Sequence, residues 1–169
     1  MKYTQNEWRE EPMENQITQE QLPELFEKWI TILRLKNNWD VCLELVDDPA
    51  FWKTGDFKID TDDRKAILML NVRNPKQENL EEVICHELLH LKLYPLDQLT
   101  EGLIDGHYDP DTPAYQVIYQ QFMTMLEQTV EELTKCYLGA FGENKTLSYG
   151  RCALQKSFNE LYDGLKGLD

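Results

Sequence analysis

Hydrophobic positions along this chain change their spacing several times, and each change marks an element. Residues 1–16 are polar and acidic, carry Pro12 and keep no period, which predicts a mobile N-terminal arm with Trp8 as its one anchor. Thr18 and Gln21 have the spacing of a capping box, but a helix begun there would enclose Pro23. Taking Pro23 as the first helical residue removes that conflict. Leu25, Phe26, Trp29, Ile30 and Leu33 then share one face, and the helix ends near Asn37-Asn38.

The period then shortens. Val41–Val46 reads as a strand stopped by Asp47-Asp48-Pro49, and Phe57–Asp60 as a short alternating strand. Thr61–Arg64 makes a turn into Ala66–Val72, apolar on both faces, which ends at Asn74-Pro75. Connections this short predict a small, mostly antiparallel sheet of three strands.

Helical spacing returns after Pro75. Asn79 and Glu82 suit a capped N-terminus, with acidic residues in the first turn where the helix dipole favours them. The pattern predicts a helix from about Leu80 to Leu93, stopping before Pro95. A loop with Gly102, Gly106, Pro110 and Pro113 follows. A long helix from about Ala114 to Leu138 comes next, with Ile118, Phe122, Met125, Leu126, Thr129 and Leu133 toward the core and Gly139 and Gly142 at its end. Tyr149–Leu165 reads as one more helix. The expected architecture is therefore α+β, with one domain over 17–169 and no internal repeat.

Composition narrows the class without naming a function. The chain has 169 residues, enough for one core, with 41% hydrophobic and 28% charged residues, so it is neither a disordered acidic tail nor a membrane span. Seventeen basic against thirty-one acidic residues give a net charge of −14, a field that repels phosphate backbones and anionic lipid. No nucleic-acid or membrane partner is expected. No apolar run follows Lys2, so a secretory signal is not expected and a cytoplasmic setting is. Cys42, Cys85, Cys136 and Cys152 form no C-x-x-C pair and read as reduced thiols, with packing rather than nucleophilic chemistry expected of Cys85 beside His86.

The chemistry is concentrated in His86-Glu87-Leu88-Leu89-His90, an H-E-x-x-H pentad inside the predicted helix. Residues four apart are turned by ~400°, so both imidazoles leave one face and can share a Zn²⁺ ion. Glu87 stands ~100° round from His86, away from a ligand's position and suited to taking a proton from a zinc-bound water. The chain has three histidines, and the pentad uses two of them.

A catalytic zinc needs a third protein ligand and an open position. The metzincin pattern is excluded, because Leu93 and Leu96 stand where its glycine and third histidine belong. His107 is the one remaining histidine. Asp105 lies in Gly102-Leu103-Ile104-Asp105-Gly106-His107-Tyr108, which is similar to the aspzincin motif G-T-x-D-x-x-Y-G but lacks its threonine and last glycine. Glu127 and Glu131 sit one turn apart on the long helix, at the edge of its apolar stripe, and either could serve.

With the pentad followed 36 residues later by Glu127-Gln128-Thr129-Val130-Glu131, the chain resembles the gluzincins. Over roughly residues 20–140 it is similar to the small cytosolic minigluzincins. Glu131 departs from the pattern, where aspartate is commoner. The resemblance implies a zincin-like fold and a zinc-dependent peptide hydrolase with a peptide or protein substrate. It also implies Glu127 as third ligand, and Glu131 holding His86 through its free ring nitrogen. In such enzymes an extended peptide adds to an edge strand. Ala66–Val72 is one candidate for that edge, although apolar on both faces it suits a central strand equally well. An oxyanion donor would come from His107, Tyr108, Tyr115 or Tyr119, and nothing in the pattern selects among them.

A second reading of the same residues is a non-catalytic or latent protein that uses zinc as a structural staple and acts as a binding or regulatory partner. Oligomeric state is not legible in the sequence.

Overall fold

The computed structural model describes residues 17–148. The expected N-terminal arm and the expected helix over 149–165 lie outside them. Thr18 opens a short 3-10 turn, its backbone N–H donating to Gln21 Oε1 at 2.8 Å. Helix α1, Leu22–Ile32, follows with Pro23 in its first turn. The capping box and the proline thus belong to successive elements, which dissolves the conflict seen in the sequence. Leu22, Leu25, Phe26, Trp29 and Ile30 are buried on one face of α1.

Strands β1 (Asp40–Val46), β2 (Gly55–Asp60) and β3 (Lys65–Asn71) form one sheet in the order β1-β3-β2. β2 and β3 pair antiparallel, with Phe57 opposite Leu68, whereas β1 runs parallel to β3, with Leu43 opposite Leu68. The sheet is therefore mixed rather than mostly antiparallel. The turn at 61–64 folds β2 back on one edge of β3, which leaves the other edge for β1. β3 is the central strand. Its alternate residues Ala66, Leu68 and Leu70 are buried, and β1 and β2 form the edges.

Helix α2 runs from Leu80 to His107 and α3 from Pro113 to Phe141. Asn79 caps α2, its side chain accepting from the N–H groups of Glu81 and Glu82. The expected stop before Pro95 does not occur. Pro95 removes one helical hydrogen bond, but α3 packs alongside this arm, and tertiary packing outweighs that local loss. Tyr115 and Tyr119 of α3 donate from their hydroxyls to Asp105 and Glu101 of α2, each at 2.9 Å. The predicted glycine- and proline-rich loop shrinks to 108–112, and Gly102 and Gly106 are helical.

One core joins α1, the inner sheet face, the first half of α2 and the second half of α3. Trp29 is fully buried and its indole donates to Glu81 Oε1 at 3.1 Å. Glu81, also fully buried, accepts from Lys28 Nζ at 2.9 Å and from the backbone N–H groups of Glu143 and Asn144. One carboxylate thus ties α1, the start of α2 and the chain beyond α3. Burial pushes the Glu81 carboxyl up, but Lys28 and the Asn144 donors outweigh it and leave the group below the usual glutamate range. Cys42, Cys85 and Cys136 are free thiols, and burial pushes the Cys85 thiol up to about 12. No helix among the described residues is long and apolar enough to cross a membrane.

Candidate metal centre

α2 is committed on two sides over the pentad. Ile84, Leu88 and Leu91 are fully buried, which leaves His86 and His90 on a different face, partly buried and turned toward α3. On α3, Val130, Thr134 and Leu138 make the buried stripe. Glu127 and Glu131 extend that stripe toward the histidines, because positions 127, 130, 131 and 134 share one helical face.

The packing of α3 on α2 brings the predicted residues together. The Nε2 atoms of His86 and His90 stand 3.1 Å apart. Glu127 Oε2 lies 3.5 Å from His86 Nε2, and Glu127 Oε1 lies 3.4 Å from His90 Nε2. One donor atom from each of the three residues fits within 4.8 Å of the other two. Two neutral imidazoles and a carboxylate are a donor set suited to Zn²⁺. Desolvation lowers the His90 pKa, and His86 pushes it the same way against the pull of Glu127, so its ring favours the neutral form that binds metals.

Glu131 takes the other nitrogen of His86, with Oε2 3.4 Å from Nδ1. Its Oε1 is 3.3 Å from Lys135 Nζ, and Lys135 also pairs with buried Glu82. The Ser148 hydroxyl donates to Glu82 as well. His86 is thus tied through Glu131, Lys135 and Glu82 back to the N-terminal turn of α2.

Glu87 points toward the first residue of β2. A Cβ built on Gly55 would stand 2.8 Å from Glu87 Cγ and Oε1, so the glycine leaves room for this side chain. Burial raises the Glu87 carboxyl to about 7, helped by Asp56 and Glu127 and opposed by Lys53. A cleft of about 350 Å³ opens here, lined by Trp52, Lys53, Gly55, Lys76, His86 and Glu87 among others.

The other predicted residues lie elsewhere. Asp105 and His107 are fifteen and seventeen residues beyond His90 on the same helix, a rise of ~22–26 Å. Asp105 receives the Tyr115 hydroxyl, and His107 Nδ1 lies 2.8 Å from Leu103 O. Tyr108 follows α2, and Tyr119 is engaged by Glu101, so none of the four expected oxyanion donors stands at the cluster. Sequence reasoning missed Gly55 and the Trp52, Lys53 and Lys76 wall. The available signal was a tryptophan in the polar stretch just before a strand-opening glycine.

In comparisons with protein-family models, curated proteins and solved structures, nothing matches this chain.

Proposed function

We propose that this protein is a cytoplasmic zinc-dependent peptide-bond hydrolase of the gluzincin type. The observation that carries the reading is the convergence of His86, His90 and Glu127 from two helices on one point beside Glu87. The pentad and the glutamate helix, through their resemblance to gluzincins, supply the reaction class.

His86, His90 and Glu127 would hold the ion, with Glu131 fixing the tautomer and tilt of His86. When bound, zinc supplies Lewis acidity at the scissile carbonyl and at the attacking water. Glu87 then performs the proton work. Burial raises the affinity of the Glu87 carboxyl for a proton, which suits a group that accepts a proton from water and returns one to the leaving amine. β2 is an edge strand, and among the described residues its outer side pairs with no other strand. An extended peptide could add there by main-chain hydrogen bonds, next to Glu87.

Glu87→Gln separates metal binding from catalysis. The reading expects unchanged zinc uptake and about a 10²–10⁴-fold loss of peptide hydrolysis. Undiminished hydrolysis in that variant would remove Glu87 from the reaction. Zinc uptake without hydrolysis by the unaltered protein would favour a structural or latent role.

A further inference from the structure

We propose that Trp52, Lys53 and Lys76 form a subsite for a carboxylate carried by the peptide next to the bond being cut. This assignment rests on the peptidase reading and names the substrate class of the same cleft. Trp52 is 68% exposed, an unfavourable setting for the largest apolar side chain, yet its loop is firmly held. Asn71, 1% exposed, donates from Nδ2 to Phe51 O at 2.9 Å and to Lys53 O at 3.0 Å. Its backbone N–H donates to Thr54 O at 2.9 Å. The backbone on both sides of Trp52 is therefore fixed at the cleft wall.

Two ammonium groups flank that ring. Lys53 Nζ lies 5.9 Å from its centroid and Lys76 Nζ 5.2 Å. Lys53 shares its charge with Asp56 at 2.7 Å, whereas Lys76 has no carboxylate partner among the described residues. That is notable in a chain with an acidic excess of fourteen. Of the acids that line the cleft, Glu82 is engaged by Lys135 and Ser148, Glu131 by His86 and Lys135, and Glu87 is held against Gly55. Lys76 is the cation of this cleft left without a carboxylate partner among the described residues, and the aromatic face beside it suits the aliphatic stem of a glutamate.

The test measures peptide binding by titration calorimetry at low salt, using full-length Glu87→Gln protein with and without zinc. Three otherwise identical peptides are compared: one with glutamate flanking the central bond, one with glutamine, and the glutamine peptide truncated to place a free C-terminal carboxylate at that position. The glutamate peptide should bind about two- to fivefold tighter than the glutamine one, and Lys76→Glu should abolish or invert that ratio. Lys36→Glu, on the turn after α1, makes the same change in net charge and should leave it intact. Tighter binding of the truncated peptide would identify a chain terminus as the preferred source of the carboxylate. Equal affinities for all three, no binding of any, or a preference that survives Lys76→Glu would overturn the subsite. Failure of the zinc reading would appear separately, as absent zinc uptake with the carboxylate preference still present.

Discussion

Glu87 occupies the space that a side chain on Gly55 would need, with Cγ and Oε1 each 2.8 Å from the position of the missing Cβ. The first residue of β2 and the proposed base of α2 are therefore shaped to one another. Gly55→Ala should leave the fold in place, because the crowded atoms belong to a side chain that can swing away. It should displace the Glu87 carboxyl and lower turnover about 100-fold, the scale expected for an ångström of misplacement. Zinc uptake should persist. Thermal melting, metal content and peptide hydrolysis measured on the same preparation check all three, and full activity in Gly55→Ala would contradict the account of the base.

Glu131 is argued to act through His86 rather than on the ion. Its removal should therefore weaken the site without abolishing it. Glu131→Ala should lower zinc affinity about 10–100-fold, while His86→Ala or His90→Ala should remove measurable uptake. Competition against a chelator of known affinity distinguishes the two. If Glu131→Ala removes uptake and Glu127→Ala spares it, the two glutamates exchange roles.

The Glu81 hub gives acid sensitivity a definite sign. Its carboxyl lies below the usual range in the folded protein, so its contribution is present above the unfolded value and is lost as pH falls through the folded one. Stability should decline on acidification below about pH 4.3, the ordinary glutamate value. Glu81→Gln should cost about 1–3 kcal/mol at neutral pH, since it weakens the charge-assisted bonds from Trp29, Lys28 and the Asn144 donors, while Lys28 keeps Glu143 as a partner at 2.8 Å. It should also flatten the acid limb. Urea melts at pH 7 and in steps through the acid range measure both effects.

How much of this was legible in the sequence differs from element to element. The stripe Leu25, Phe26, Trp29, Ile30 and Leu33 gave α1, and the two-sided apolar run of β3 gave the strand that proved central, because both patterns report burial directly. Strand order did not follow, since local turn chemistry does not say which edge of β3 receives β1. Pro95 misled for a different reason. Its local cost is real, but the support from α3 is tertiary and has no local signature.

The face of α3 was misplaced only in part, since Leu126 and Leu133 pack against the core as the spacing predicts. Met125 is 59% exposed, while Val130, Thr134 and Leu138 are buried. Phe122, Met125, Leu126 and Thr129 line a separate groove against Leu93 and Leu96, so one helix has apolar residues for two surfaces. The site was more legible than the fold around it, because i, i+4 spacing places side chains without reference to tertiary structure. His86 and His90 needed only a helix, and Glu127 and Glu131 needed only the correct end of a second one. The Lys135–Glu82 tie and the Asn71 clamp join residues far apart in sequence, and no spacing announces them.

The central claim is that Zn²⁺ is held by two imidazoles of α2 and one carboxylate of α3. Crystals grown with stoichiometric zinc and measured on both sides of the zinc absorption edge test it most directly. The account predicts one strong anomalous peak with His86 Nε2, His90 Nε2 and a Glu127 oxygen at ~2.0–2.2 Å. A fully loaded crystal with no peak between these three side chains, or a peak ligated by other residues, would contradict it.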